Sequence, residues 1–197
     1  MQNDIDIMES KICQRLFDSI EVKKNIIENK TLIEQIKRAA EMVADCLKKG
    51  GKLILGGNGG SESDSLHFAG EITGRFQKER QPWPAVVLGA DQAILTAIAN
   101  DYGYEEAYAR QAKALVKKED LLIVISTSGN SKNLLQAVCA VRETGCRTMA
   151  LLGKSGGELA GIVNYPIIVP SEVTARIQES HITIIHIICE LVEEIIS

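Results

Sequence analysis

The sequence predicts an α/β fold, in which a doubly wound, five-stranded parallel sheet carries helices on both faces. From residue 52 onward, short aliphatic runs alternate with segments of helical periodicity, which is the pattern of strands joined by crossover helices. Residues 121–125 are five large aliphatic residues in succession, as expected for a strand buried on both faces. With 197 residues, the chain is long enough for one such domain with helical extensions.

Two helices are predicted before the first strand, at residues 5–28 and 31–48. Apolar residues recur at helical spacing in both, and Thr31 followed by Glu34 predicts a capping box at the start of the second helix. Helices that precede the first strand cannot connect parallel strands, so we expect them to pack on the domain or on a partner subunit. The long apolar stripe of the first helix favours a subunit contact.

Five strands and their helices follow in order. Strands are predicted at residues 52–55, 84–88, 121–125, 148–152 and 166–169, and helices at about 62–78, 91–99, 105–117, 131–143 and 175–196. The sequence contains no internal repeat, low-complexity segment or linker. We therefore expect a single domain over residues 1–197, with N-terminal helices at 1–49 and an α/β core with its terminal helix at 50–197.

Composition and charge argue against several classes of protein. The net charge is −4 with acids and bases interspersed, so no basic face favours nucleic acid or an anionic membrane. No apolar run approaches the roughly 18 residues of a membrane span, and the acidic N-terminus does not resemble a signal peptide. Five scattered cysteines without a C-x-x-C pair indicate reduced, mostly buried thiols. These features predict a cytoplasmic protein without nucleic-acid or membrane partners.

A hydroxyl-rich loop, residues 126–131, follows the strand at 121–125. It contains four hydroxyl side chains and Gly129, and a helix with apolar residues from Leu134 onward begins after it. Such a unit directs backbone N–H groups and the positive end of a helix dipole at one point, which favours a phosphate. The alternative is an ordinary loop in which Ser131 only caps the helix, although a cap needs a single hydroxyl.

A glycine-rich loop, residues 56–61, follows the first strand. Ligands of doubly wound sheets collect at the carboxyl ends of strands, near the point where the strand order reverses. Glycines would let the backbone approach a ligand there, and Asn58 and Ser61 would add polar contacts. The spacing fits neither the dinucleotide-binding fingerprint nor the P-loop. The two loops therefore favour a sugar phosphate over a nucleotide.

Histidines on two helices are candidate metal ligands. His67 and Glu71 lie four residues apart on one helix face, where they could share a divalent metal or form only a surface ion pair. On the last helix, His181 and His186 lie among isoleucines, and a histidine in such a setting is more often a hydrogen-bonded core residue. A buried ring at position 186 would need a partner, and a metal would serve. Gln178 precedes His186 by a rise of about 12 Å, which is marginal for sharing one ion.

Asn100 and Asp101 end the helix predicted at 91–99. A helix end followed by a turn explains these polar residues, and contacts with the hydroxyls of a bound sugar would explain them equally well. Spacing alone does not separate the two interpretations.

Six segments of the chain resemble the bacterial phosphoheptose isomerases, which belong to the sugar isomerase (SIS) domains. The segments are residues 57–61, 66–71, 73–76, 95–104, 126–131 and 175–179. The resemblance covers roughly residues 50–196, and the two N-terminal helices also fit the family's layout. The hydroxyl-rich loop alone indicates only an SIS domain, whereas the set His67, Glu71, Gln178 and His186 is much more specific.

The resemblance implies a homotetramer that interconverts sedoheptulose 7-phosphate and D-glycero-D-manno-heptose 7-phosphate, for the heptose of lipopolysaccharide, capsule or other surface glycans. It implies one Zn²⁺ per subunit, with ligands at His67, Glu71, Gln178 and His186. The positions that match substrate contacts are Asn58, Gly59, Gly60, Ser61, Glu71, Asn100, Asp101, Ser126, Thr127, Ser128, Ser131 and Gln178. Arg75 matches a basic residue near the site.

The chemistry implied is aldose–ketose isomerisation through an enediol(ate). It needs a base, an acid and a group that stabilises the oxyanion. The catalytic residues would be Glu71, which takes the carbon-bound proton, and His186, which moves protons at the oxygens, while zinc polarises the carbonyl.

Three positions depart from the commoner pattern of the family. They are Glu62, Gly70 and Ala175, and they leave the ligand set intact while leaving substrate details open. Two alternatives to this isomerase also stay open. One is a non-catalytic SIS module that binds a sugar phosphate as a regulator, and the other is a different sugar-phosphate isomerase of the same fold.

Overall fold

The computed structural model describes the backbone of residues 2–196 and the side chains of residues 6–196. Within that range it contains five strands and eight α-helices, which we number in chain order. The helices are α1 Gln2–Glu28, α2 Lys30–Lys48, α3 Gly60–Thr73, α4 Gln92–Tyr102, α5 Ala107–Leu115, α6 Lys132–Ala140, α7 Gly157–Ile162 and α8 Thr174–Ile196. The strands are β1 Leu53–Gly56, β2 Ala85–Val87, β3 Leu121–Ser126, β4 Arg147–Leu152 and β5 Tyr165–Ile168.

The strands form one parallel sheet in the order β2-β1-β3-β4-β5. Leu53 of β1 lies opposite Leu121 of β3, which in turn lies opposite Arg147 of β4. The chain builds outward from β1 to β2 on one side, and from β3 to β5 on the other. The connections that follow β1 and β3 therefore diverge and leave a crevice at the carboxyl ends of these two strands.

Two hydrophobic cores sandwich the sheet. On one face, Leu55 and Ile123 pack against α2, α3 and α8, and on the other face Ile54 and Val124 pack against α5, α6 and α7. All six residues of β3 are buried, because this central strand is covered on both sides. The predicted fold class, a five-stranded parallel sheet flanked by helices, is confirmed.

The second N-terminal helix packs on the domain, whereas the first presents an apolar stripe to solvent. The side of α2 that contains Leu32, Ile36 and Val43 is buried in the core shared with α8. On α1, six large apolar residues are between 58% and 64% exposed: Ile7, Met8, Ile12, Leu16, Phe17 and Ile20. This stripe is the surface for which the sequence predicted a subunit contact.

The capping box predicted at Thr31 is wrong. Helix α2 begins at Lys30, and its N-cap is Asn29, whose side-chain oxygen accepts the N–H of Leu32 at 3.1 Å. Asparagine is among the best N-cap residues. The helix therefore starts directly after Asn29, whose side chain reaches a free N–H group of the first turn. Thr31 consequently lies inside the first turn.

Two other elements differ from the sequence prediction. Helix α3 ends at Thr73 instead of residue 78, because Gly74 interrupts it and the next N–H groups bind a side chain of α8. Helix α7 was not predicted, since it has only six residues and Leu159 is its one buried residue. A helix of this length carries no recognisable apolar periodicity.

Two predictions from composition can be compared with the structure. None of the described helices is long and apolar enough to cross a bilayer. All five cysteines are free thiols, of which Cys46, Cys146 and Cys189 are buried while Cys13 and Cys139 are exposed.

Candidate active site

The glycine-rich loop turns tightly between β1 and α3. The hydroxyl of Tyr108 donates to the carbonyl of Gly57 at 2.6 Å, and the N–H of Gly57 donates to Glu62 Oε2 at 3.0 Å. A Cβ atom at Gly57 would lie 2.3 Å from the carbonyl oxygen of Ser61, and Gly59 has a φ of +57°, so both positions require glycine. Helix α3 starts without a side-chain cap. The N–H groups of Ser61, Glu62 and Ser63 donate instead to the carbonyls of Asn58 and Gly59 at 3.1 Å, so the loop itself binds most donors at the start of α3.

Asn58 connects this loop to the start of α6. Its carboxamide exchanges two hydrogen bonds with that of Asn133, each 2.9 Å long, and also accepts a hydrogen bond from Tyr104 at 2.8 Å. Asn133 is only 3% exposed, and its oxygen accepts the N–H of Leu134 as well. The two loops on either side of the crevice are thus fixed to each other.

The hydroxyl-rich loop between β3 and α6 is organised by Ser126. Its Oγ accepts the N–H of Gly129 at 3.1 Å and lies 3.3 Å from the Oγ of Ser131. Ser131 occupies the N-cap position of α6, but its side chain makes no capping hydrogen bond. Capping therefore does not account for this hydroxyl, which instead lines the crevice.

The two loops and α8 enclose a small polar cavity of about 230 Å³. It is lined by Asn58, Ser61, Ile125, Ser126, Thr127, Ser128, Ser131, Thr174 and Gln178. A second cavity of about 310 Å³ lies between α1, α2 and α8, but isoleucine and leucine side chains form most of its wall. The hydroxyls and the N-terminus of α6 make the smaller cavity a better site for an anion than the apolar cavity.

A cluster of three side chains from α3 and α8 can hold a metal ion. One ligand atom each from His67, Glu71 and His186 lies within 4.8 Å of the other two. His67 Nε2 is 3.0 Å from Glu71 Oε1 and 3.4 Å from His186 Nε2. Ligand atoms about 2.0–2.1 Å from a tetrahedral zinc ion lie about 3.3 Å from one another. Two imidazole nitrogens and one carboxylate oxygen at these separations therefore fit zinc.

His181 behaves as the hydrogen-bonded core histidine that the sequence favoured. Its ring is fully buried, and Nε2 lies 2.9 Å from the carbonyl oxygen of Leu152. Burial disfavours the charged ring and lowers the pKa of His181 to about 4. His181 is therefore neutral and stays outside the cluster.

The remaining candidate residues occupy three different places. Gln178 lines the cavity and packs against Gly60, where a Cβ atom would lie 2.5 Å from its Nε2. Asn100 and Asp101 are exposed at the end of α4, hydrogen-bonded to each other at 2.9 Å, and neither lines the cavity. Arg75 is exposed and pairs with Glu79 at 3.6 Å.

Two carboxyl groups near the start of α3 have raised pKa values. Burial raises the pKa of Glu62 to about 7, although the N–H of Gly57 and the hydroxyl of Tyr108 oppose the shift. Burial also raises the pKa of Asp64 to about 6, against the attraction of His67. Each carboxyl group has one buried oxygen that no donor among the described residues contacts.

Several residues around the cluster were not predicted. The ring of Phe76 stacks on His186 with centroids 5.6 Å apart, and Arg80 donates to the backbone carbonyl of Glu71 at 2.8 Å. Arg80 in turn pairs with Glu193 of α8. One signal was available, because Glu193 is a carboxylate seven residues after His186 on the apolar face of the last helix.

Comparison with known proteins finds relatives along most of the chain. A family model described as SIS domain matches residues 18–153. The phosphoheptose isomerase of Geobacter sulfurreducens is 53% identical over 163 residues, which make up 83% of this chain and 86% of that relative. The phosphoheptose isomerase of Aquifex aeolicus is 46% identical over 189 residues, with coverages of 96% and 98%. The chain belongs to the phosphoheptose isomerase family.

A solved structure of the phosphoheptose isomerase family agrees with this assignment. The enzyme from Francisella tularensis superposes with a TM-score of 0.90 at 37% identity, covering 94% of this chain and 97% of that one. The family resemblance drawn from the sequence motifs is therefore confirmed. Because phosphoheptose isomerases are enzymes, the prediction of an enzyme is confirmed as well.

Proposed function

We propose that the protein is a zinc-dependent phosphoheptose isomerase that interconverts sedoheptulose 7-phosphate and D-glycero-D-manno-heptose 7-phosphate. The observation that carries the proposal is the cluster of His67, Glu71 and His186, located on the same two helices that line the hydroxyl-rich cavity. Relatives about half identical to this chain bear the name of that activity.

The cavity would hold the phosphate group. The hydroxyls of residues 126–131 and the N–H groups at the start of α6 are donors suited to a phosphate. His67 follows Ser61, a cavity residue, by a rise of about 9 Å along α3. A substrate that reaches from the cavity to the cluster binds its phosphate several ångströms away from its reacting carbons. Binding energy gained at the phosphate then positions those carbons.

Glu71 and His186 would carry the proton transfers. Glu71 would remove the proton from the carbon beside the carbonyl, and His186 would exchange protons with the two oxygens. Glu71 contacts His67 Nε2 through Oε1. Its other carboxylate oxygen, Oε2, would accept the carbon-bound proton of the substrate. Phe76 covers one face of the His186 ring and orients it.

The metal ligands would be His67, Glu71 and His186, with Gln178 as the fourth candidate. A zinc ion held there would act as a Lewis acid that polarises the carbonyl group of the substrate. His67 has no proton-transfer role in this scheme, so its contribution would be to hold the ion and to orient Glu71 at 3.0 Å.

We also propose a cytoplasmic homotetramer in which residues 1–197 of each chain form one SIS domain, serving the heptose of surface glycans. The exposed apolar stripe of α1 supports association between chains, since a stripe of that kind is typical of a contact surface. Light scattering of the purified protein tests the stoichiometry, and a monomer at micromolar concentration would contradict it.

The reaction is tested by incubating the purified chain with sedoheptulose 7-phosphate and detecting the aldose. We expect turnover that is lost on chelation and restored by Zn²⁺, because the cluster needs its ion. Ketose phosphates of six and five carbons should react more slowly, since they bridge less of the distance between the cavity and the cluster. Absence of turnover in the zinc-loaded protein would overturn the assignment.

Glu71→Gln tests the proposed base. We expect the rate to fall about 10²–10⁴-fold, because the carboxamide cannot accept the proton, while circular dichroism stays that of the wild type. Glu79→Gln removes a charge from an exposed residue eight positions later and is the matched control. A rate in Glu71→Gln close to that of the control would refute the role of Glu71.

A further inference from the structure

Arg80 and Glu193 form a buried ion pair beside the metal-binding cluster. Arg80 Nε lies 2.9 Å from Glu193 Oε1, and the two side chains are only 7% and 2% exposed. Arg80 belongs to the segment that follows α3, whereas Glu193 belongs to α8. The pair therefore joins the two helices that supply His67, Glu71 and His186.

The carboxylate of Glu193 binds the backbone of the segment after α3. Besides Arg80, it accepts the backbone N–H groups of Phe76, Gln77 and Lys78 at 2.8–2.9 Å. Burial alone would raise the pKa of Glu193, but these four donors outweigh burial and lower it to about 2. Glu193 is therefore charged at neutral pH, and all four donors remain bound to it.

The guanidinium of Arg80 closes the carboxyl end of α3. It donates to the carbonyls of Glu71 at 2.8 Å, Ile72 at 3.0 Å and Gly74 at 3.3 Å, and it stacks on the ring of Trp83 at 3.6 Å. The last carbonyls of a helix have no partner within the helix. Arg80 satisfies them in α3 and so fixes the end of the helix that carries Glu71.

Each member of the pair acts on one side of the cluster. Arg80 binds the backbone of Glu71 directly, and Glu193 binds the N–H of Phe76, whose ring stacks on His186 with the planes 25° apart. A zinc site tolerates errors in ligand distance of only about 0.2 Å. Ligands from two helices can meet that tolerance only if the helices are held in a fixed relation.

We propose that Arg80 and Glu193 are positioning residues, which hold α3 and α8 at the separation at which His67, Glu71 and His186 can share one divalent cation. The inference rests on the proposed metal-dependent function. Burying an ion pair is often no more stabilising than burying apolar side chains. The geometric role supplies a reason for a charged pair here, because the four N–H donors on the Glu193 carboxylate fix an orientation that apolar contacts do not.

The test compares Arg80→Lys and Phe76→Leu with Lys52→Met in the full chain. Arg80→Lys keeps the charge but loses the fork that reaches Glu71 and Ile72. Phe76→Leu removes the ring on His186 and keeps an apolar side chain against the core. Lys52→Met breaks another ion pair of low exposure, Lys52 with Asp120, which lies at the starts of β1 and β3. Zn²⁺ affinity is measured by competition with a chromophoric chelator, and the absorption spectrum of bound Co²⁺ reports the ligand geometry.

We expect Arg80→Lys and Phe76→Leu to weaken Zn²⁺ binding by about tenfold or more and to change the Co²⁺ spectrum, as loss of an outer partner commonly does. Lys52→Met should lower the melting temperature and leave the Zn²⁺ affinity and the Co²⁺ spectrum unchanged. If Arg80→Lys fails to fold, Glu193→Gln, which keeps the shape of the side chain but loses its charge, takes its place with the same expectation. Metal binding equal to that of the wild type in the folded variants would overturn the inference. A wild-type chain that binds neither ion would overturn the metal-dependent function, and the inference with it.

Discussion

Two ion pairs, each with a buried carboxylate, stand in different relations to the active site. Asp120 accepts the ammonium group of Lys52 at 2.6 Å, together with the backbone N–H groups of Lys52 and Lys117. Its donors lie at the amino ends of β1 and β3, opposite the crevice. Arg80 and Glu193 also combine an ion pair with backbone contacts, but those contacts lead to Glu71 and to the ring on His186.

The groups that its hydrogen bonds reach decide what such an ion pair does for the protein. Exposure does not separate the two carboxylates, since the side chains of Asp120 and Glu193 are 3% and 2% exposed. Loss of either pair should destabilise the protein, because a buried charge would be left alone. Only the loss of the Arg80–Glu193 pair should also disturb metal binding.

The largest effect should come from Asp120→Ala, which leaves three donors without an acceptor. We expect the free energy of unfolding to fall by about 3–5 kcal/mol, measured by urea denaturation. The kcat/KM of the folded variant should stay at the wild-type value, because the pair touches neither the cavity nor the cluster. A reduced kcat/KM in fully folded protein would show that both pairs serve the site, and the contrast would fail.

Asn58 and Asn133 form an uncharged contact that also joins two segments of the site. Asn133→Leu would remove its two hydrogen bonds. Without them, Asn58 keeps only the hydrogen bond from Tyr104 and the two loops can separate. We expect kcat/KM to fall about tenfold, the equivalent of one or two hydrogen bonds, mainly through a higher KM. Gln136→Ala, at an exposed neutral residue one turn later on α6, is the control and should have no effect. Equal kinetics in the two variants would contradict a positioning role for Asn133.

A further prediction concerns Glu62, a partly buried carboxyl group whose partners are neutral, the N–H of Gly57 and the hydroxyl of Tyr108. Its pKa is raised from 4.5 to about 7, so the folded state holds the proton more tightly than the unfolded chain does. The stability that this supplies is complete below pH 4.5 and is lost as the pH rises through 7. Glu62→Gln cannot ionise, so we expect it to be more stable than the wild type at pH 8 by about 1–2 kcal/mol.

The measurement for Glu62→Gln is urea unfolding at pH 5 and at pH 8. The advantage of the variant over the wild type should be larger at pH 8, where the native carboxyl group is charged. Glu79→Gln changes a fully exposed carboxylate and should give the same small difference at both values. A pH-independent effect of Glu62→Gln would mean that the charge of Glu62 does not oppose folding.

The sequence predicted those parts of the molecule that local patterns encode. The aliphatic run at 121–125 is a buried strand, and the spacing of His67 and Glu71 places both side chains on one face of α3. The meeting of these two with His186 was anticipated from the family motifs. The hydroxyl-rich loop lies, as expected, at the carboxyl end of a central strand.

The parts that escaped prediction depend on contacts between distant residues or on very short elements. Gly74 is the one local signal for the end of α3, and the N–H groups that follow are held by Glu193, more than 100 positions away. The partnership of Asn58 with Asn133 likewise spans 75 positions. The end of a helix and the supports of a site are set by tertiary structure, which spacing does not record.

Helix α3 carries cavity residue Ser61 in its first turn and His67 and Glu71 in the turns that follow. One residue inserted between Ser61 and His67 would swing the histidine and the glutamate about 100° around the helix axis and away from α8. Insertions and deletions within these turns should therefore be selected against far more strongly than substitutions. Helix α3 thus fixes the distance between the cavity and the cluster. A relative that acts on a longer or shorter sugar would therefore have to differ in the loops and keep the length of this helix.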